Sequence, residues 1–373
     1  MVQETLWPLE PHTGVKHDIY DGYLDAWWPI IMQSFGSGTY AEGFAGPGVY
    51  TDGQPGSPIR ALRRLQVLRA AKPHLSRRPA RFVLVEKRAD RVAELLDRFR
   101  DELGDPMRDG EYRDPSLHVI VQQGTCEQTL PELLRRVGVG RFPLLGVLDS
   151  FGGGSTSDLI GKFARQNAGE VLTTVEPQHF VRNLDPARSD RVFGGPHWRD
   201  VEKYEADDKR AFIARALDTA VRAAGFRYVI AFGLETVKGN ELLLQFATNH
   251  PLGLERFKES LWRADPIAGA RFRDPNDPEQ MLLDLTPERS VAPLRRLLEE
   301  YLLSRPGGSA TLGDLRDFVF ERTFYRKPDV APAVNELLER GLATSDRRRP
   351  RIDSRTPAAT VITATDTEQY QLA

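Results

Sequence analysis

A β-rich run, Thr39–Ala45, leads into the glycine turn of Glu42-Gly43-Phe44-Ala45-Gly46-Pro47-Gly48. Glycines there permit a tight turn and close backbone approach to a ligand. The spacing, acidic-x-Phe-x-Gly-x-Gly, is not the GxGxxG of dinucleotide binders. An acid just before the turn would repel a pyrophosphate and suits a ligand bearing an ammonium. S-adenosylmethionine carries an ammonium and a sulfonium. Glu42, Gly43, Phe44, Ala45, Gly46 and Gly48 are therefore candidate cofactor-binding residues; the other reading is a Gly/Pro turn without a ligand.

Glu86 closes a second β-rich run, Arg81–Glu86. An acid at a strand end can accept both hydroxyls of a ribose. It lies 38 residues beyond Gly48, against the usual spacing of about 20; an inserted loop and helix around Gly56-Ser57-Pro58 account for the excess. A plain surface Glu is the alternative. Thr125 and Cys126 follow the third strand, where an adenine-contacting loop would lie. A lone Cys reads equally well as a small buried residue.

Asp149 ends a buried apolar run, Phe142–Asp149. Chemistry in open α/β sheets sits at the carboxyl ends of strands, and an Asp there can orient a substrate N–H or take its proton. It is the candidate catalytic residue, or else a helix-capping Asp. Phe151 offers a stacking face, and Gly152 lets a substrate approach. Lys16 and His17, beside His12 at the start of the first helix, are further candidate substrate-binding residues, or a solvated polar face.

These residues need strand ends to carry them. Ile19, Tyr23, Trp27 and Ile31 recur at helical spacing, predicting an amphipathic helix over His12–Phe35 that breaks or ends near Pro29. Strands at Thr39–Ala45, Arg81–Glu86, Leu117–Gln122, Phe142–Asp149 and Glu170–Val175 alternate with helices at Ile59–Ala71, Ala89–Leu103, Glu127–Val137 and Ser157–Asn167. That alternation predicts a doubly wound parallel α/β sheet. After a helix over Asp207–Ala224 come strands Tyr228–Gly233 and Leu242–Ala247, joined by a Lys238–Asn240 turn as a terminal antiparallel hairpin. The expected domains are 1–265, a linker at 266–285, and a small winged-helix-like module at 286–373. That module would hold helices Val291–Leu303, Thr311–Phe320 and Pro328–Arg340, a polar hairpin from Leu342 to Ile352, and a frayed end from about Thr356.

The 373 residues are 40% hydrophobic and 28% charged, close to globular averages. A net charge of −2 excludes a generally basic nucleic-acid coat. From Glu288 to Arg355, however, the net charge is +3. Arg326 and Lys327 precede the module's third helix, and Arg347, Arg348, Arg349 and Arg351 lie on the expected wing. Such residues hold phosphates or serve protein contacts. The single cysteine excludes an intrachain disulfide and Cys-built metal centres. His spacing gives no metal motif, and neither a nucleophile elbow nor a P-loop occurs. No stretch is long and apolar enough to span a membrane, and a reducing cytoplasm is the expected location.

Taken together, Pro11-His12-Thr13, Lys16-His17, Tyr23-Leu24, Trp27, Gly43–Gly48, Gly56-Ser57-Pro58, Asp149, Phe151-Gly152 and Phe246–His250 resemble the three-Cys-motif partner protein family, from about residue 6 to 265. The resemblance implies a class I S-adenosylmethionine-dependent methyltransferase-like Rossmann fold, encoded in bacteria. It also implies a genomic association with a radical-type protein bearing three cysteines. Ser150 stands where the family has proline in an Asp-Pro-aromatic-Gly pattern. That pattern resembles part of the amino-methyltransferase motif, so the implied geometry for a base amino nitrogen is not carried over. The expectation is S-adenosylmethionine-dependent methyl transfer, with nucleic acid as acceptor. The alternative is a cofactor-binding partner protein without turnover.

Overall fold

The computed structural model describes residues 4–104, 107–150, 152–182, 185–235, 241–264, 272–273, 291–347 and 351–365. Phe151, the Lys238–Asn240 turn, Arg348, Arg349 and all of the expected linker except Phe272 and Arg273 lie outside the described residues. The chain divides into two compact units, Met1–Ala264 and Asp265–Ala373.

In the first unit the helices are α1 (Pro11–Ser34), α2 (Ser57–Ala71), α3 (Ala89–Leu103), α4 (Cys126–Arg136), α5 (Ser157–Ala164), α6 (Pro177–Val181), α7 (Pro186–Phe193), α8 (Ala206–Ala223) and α9 (Pro251–Ala264). The strands are β1 (Gly38–Glu42), β2 (Ala80–Glu86), β3 (Glu111–Arg113), β4 (Leu117–Gln123), β5 (Leu144–Asp149), β6 (Gly169–Val175), β7 (Tyr228–Glu235) and β8 (Glu241–Thr248). Their order in the sheet is β3-β4-β2-β1-β5-β6-β8-β7. Strands β4, β2, β1, β5 and β6 are parallel, and β8 lies antiparallel between β6 and β7. A mostly parallel sheet closed by such a hairpin is the doubly wound α/β arrangement that the sequence predicts. Strand order reverses between β1 and β5, which makes their carboxyl ends the topological switch point where ligands of open α/β sheets bind.

The central strands are apolar on both faces because helices cover both. Ala41, Val83, Ile120, Leu144 and Leu148 join Leu159, Phe163 and Val171 in one buried cluster. Close packing there explains Gly146: a Cβ at that position would run into the Phe163 ring.

Helix α1 corrects the expected break at Pro29. It runs on to Ser34 with Pro29 inside it. Proline removes one hydrogen bond from the ladder, but Trp27, Trp28, Ile31 and Met32 are all buried and hold the last turns in place. The helix packs against α2 and α9, and this puts its first turns beside the switch point.

The second unit, among the described residues, holds helices Ala292–Leu303, Leu312–Arg322 and Val330–Glu339 with an antiparallel sheet of Ser309–Thr311, Val361–Ala364 and Ala343–Ser345. Thr311 and Asp314 form a capping box that starts the second helix. Two expectations are corrected here. Ala343–Ser345 pairs with Val361–Ala364 and not within a local Leu342–Ile352 hairpin. The stretch beyond Thr356 is not frayed at that point: Val361–Ala364 is the middle strand, and Ile362 is buried in it.

Candidate functional site

Glu42 ends β1, and Asp149 ends the neighbouring β5. Both face a cleft of about 250 Å³. Its wall also includes Phe44, Ala45, Gly46 and Gly48 of the glycine turn, and Lys16 and His17 of α1. Six of the nine predicted cofactor positions and the predicted base thus belong to the β1–β5 junction or the turn that leaves it.

The turn is shaped by backbone demands. Gly46 and Gly48 have φ of 63° and 75°, a region that favours glycine. Gly43 is packed from below: a Cβ there would strike Cys126 Sγ.

Glu42 is fully buried. It accepts hydrogen bonds from Ser57 Oγ and from Tyr40 Oη at 3.0 Å. Burial raises its pKa to about 8, against the lowering effect of those two donors. It is therefore mostly protonated at neutral pH, and a cation seated beside it would draw the proton off.

Lys16 Nζ donates to Asp149, and so does Thr174 Oγ1 from β6. Burial pushes the Asp149 carboxyl up, but the Lys16 ammonium, with its hydrogen bond and that of Thr174, prevails and holds it below the ordinary carboxylate range. An ionised, ion-paired Asp is suited to orient a donor group and poorly suited to take a proton. Beside it, burial together with Lys16 and Arg60 lowers the His17 pKa to about 3, so this ring is neutral. Tyr50 Oη lies 3.3 Å from its Nε2, and its Nδ1 is buried without a hydrogen-bond partner. Burial likewise lowers His12, against the opposing effect of Glu10.

Of the other predicted residues of this unit, Glu86, Thr125, Cys126 and Gly152 stand apart from the cleft wall. Glu86 is buried at the end of β2, where its carboxylate accepts from the backbone N–H groups of Gly46 (3.0 Å) and Arg88 (2.9 Å). It braces the glycine turn. Thr125 precedes α4, and its hydroxyl donates to Gln128. Cys126 is a core residue whose thiol burial pushes up. Gly152, with φ of 90°, is clamped against Glu176, whose N–H donates to its carbonyl. Arg326 and Lys327 belong to the second unit. There Arg326 bonds Asp329, while Lys327 lies 4.5 Å from the Phe320 ring centre and 3.9 Å from Asp317.

Trp7, Tyr50 and Glu176 also line the cleft and were not expected. Only Glu176 had a signal, since it directly follows a strand on the carboxyl edge of the sheet. Trp7 and Tyr50 sit in irregular segments with no periodicity to mark them.

Among the described residues no helix is long and apolar enough to cross a membrane, and no cluster of metal-ligating side chains occurs. No family model matches the chain, and neither does any curated protein. Among solved structures, it is similar to cofactor-bound Rv0187 from MTB, with 11% identity over 62% of this chain and 80% of that one, TM-score 0.31. Protein LPL1258 from Legionella pneumophila str. Philadelphia 1 is 13% identical over 66% of this chain and 91% of its own, TM-score 0.36. A protein named as a class I S-adenosylmethionine-dependent methyltransferase from Listeria monocytogenes is 9% identical over 67% and 63%, TM-score 0.31.

Proposed function

We propose that the chain is an S-adenosylmethionine-dependent methyltransferase. The observation that carries this reading is the meeting of Glu42, the Gly46–Gly48 turn and Asp149 in one cleft at the switch point. The donor set fits a cation. With Lys16 joined to Asp149 and His17 neutral, the charge left on the cleft wall comes from Glu10 and Glu176. Glu42 would hold the ammonium end, and the glycine turn would admit the chain of the methionine. The cofactor supplies an electrophilic methyl group. Asp149, held by Lys16 and Thr174, orients the acceptor, and alignment supplies most of the rate gain.

For the acceptor we propose nucleic acid, entering the cleft by an uncharged base. Phosphate would be repelled by Glu10 and Glu176. Support for nucleic acid comes from the basic residues of the second unit, Arg347 and Arg351 among them; a cytoplasmic location, in keeping with a single cysteine, is part of the same proposal.

A second reading keeps the cofactor and drops the turnover: a partner protein assembling with a radical-type three-Cys protein. The closed Lys16–Asp149 pair favours it, because it leaves Asp149 a weak base. Transfer of labelled methyl from S-adenosylmethionine to total RNA and DNA separates the two. Transfer by wild type and its loss in Asp149→Asn support the enzyme. Equal transfer in the variant removes Asp149 from the mechanism.

A further inference from the structure

The cleft holds the residues suited to the methionine end of the cofactor and lacks those expected at the adenosine end. Glu86, Thr125 and Cys126 are absent from its wall, while Glu42, Gly46, Gly48 and Asp149 line it. Its volume, about 250 Å³, falls short of the ~300–1,000 Å³ usual for ligand pockets.

The segment Glu4–Glu10 packs across the glycine turn and the start of α3. Thr5 Oγ1 donates to Asp90 at the start of α3, and Arg91 Nη2 reaches the Glu4 carbonyl at 3.4 Å. The Thr51 N–H donates to the Trp7 carbonyl at 3.1 Å. The Trp7 ring stands edge-on to Tyr50, with centroids 6.0 Å apart, under the Arg91 guanidinium at 4.5 Å. It sits directly above Gly46, so that a Cβ there would touch it at 3.4 Å. Gly46 is the residue whose N–H occupies the Glu86 carboxylate. An indole therefore fills the space between the glycine turn and the first turn of α3, beside the acid expected to take a ribose.

We infer that Glu4–Glu10 is a strap closed over the adenosine side of the cleft, with Trp7 as its latch, and that cofactor entry displaces the Trp7 ring. This rests on the cofactor reading above. Displacement of the ring breaks, among its contacts, the aromatic edge contact to Tyr50 and the cation–π contact to Arg91, each a modest interaction. A closed strap lowers apparent affinity by the fraction of molecules that are open.

The test uses the full chain and S-adenosylhomocysteine, with calorimetry and acrylamide quenching of tryptophan fluorescence. The other four tryptophans, Trp27, Trp28, Trp198 and Trp262, are buried, so a change in quenching reports Trp7. The strap predicts that ligand makes wild-type fluorescence more quenchable. It also predicts that Trp7→Ala binds more tightly, roughly tenfold if the strap is closed about 90% of the time, with Trp7→Phe in between. Binding by Trp7→Ala alone is the same result in extreme form. Weaker binding by Trp7→Ala, with wild-type fluorescence less quenchable, would make Trp7 a wall over bound cofactor and overturn the latch. Equal affinity in all three proteins with unchanged quenching would overturn it too, while leaving the cofactor reading intact. No binding by any folded protein would defeat the cofactor reading, and the latch with it.

Discussion

Lys16 Nζ donates to the Asp149 carboxylate across 133 residues of sequence, tying the first turns of α1 to the carboxyl end of β5. Both partners are largely shielded, with side-chain exposures of 7% and 23%. Removing one partner of such a pair strands the other charge. Lys16→Met is predicted to cost about 3 kcal/mol, the low end for a buried pair because Asp149 opens onto the cleft. Adding Asp149→Asn should restore part of the loss. Denaturant melts of the two variants check this; equal stability of Lys16→Met and wild type would contradict it.

If Glu42 holds the cofactor's ammonium as proposed, cation binding is expected to depend on pH. Its carboxyl titrates near 8, and only the ionised form attracts an ammonium. Affinity for S-adenosylmethionine is therefore expected to rise from pH 6 toward 8 as Glu42 ionises, and to fall again above that as the cofactor's own α-ammonium loses its proton. The rise should vanish in Glu42→Gln, and its absence in wild type would remove Glu42 from the cofactor's ammonium.

Glu170 gives the fold a different pH dependence. It is buried on β6, accepts from Tyr23 at 2.6 Å and from Thr248 at 2.9 Å, and burial raises its pKa to about 7. A carboxyl raised on folding stabilises the protein at low pH, below its unfolded value near 4.5. That contribution is lost as pH rises through about 7. Tm should therefore fall less between pH 5 and 8 in Glu170→Gln than in wild type.

Gly43 tests the packing beneath the turn. Gly43→Ala would drive a methyl into Cys126 Sγ, a clash worth about 1–3 kcal/mol. Cys126→Ala frees that space, so the double variant should be more stable than Gly43→Ala alone. Additive losses would show that the contact is not the cause.

The sheet was legible because its strands are short, β-rich and regularly separated by helical periodicity. Phe142–Asp149 is an example: its short, nearly continuous apolar run reads as a strand buried on both faces, and Leu144–Asp149 is that strand. The glycine turn and Asp149 could be placed because strand ends are where such sheets bind ligands. The partners of these residues were not legible. Lys16 meets Asp149, and Glu86 meets Gly46, through tertiary contacts that no local pattern encodes. Trp7 lies outside any periodic element. The strand Val361–Ala364 read as a frayed end because four residues carry too little pattern to predict a place between two distant strands.

Calorimetric titration of the full chain with S-adenosylmethionine at pH 8, beside Glu42→Gln, tests the central claim most directly. Saturable one-to-one binding, weakened roughly tenfold in the variant by loss of one charge-assisted contact, is the predicted result. No saturable heat from folded wild type, or the same affinity in both proteins, would contradict a cofactor site built on the ends of β1 and β5.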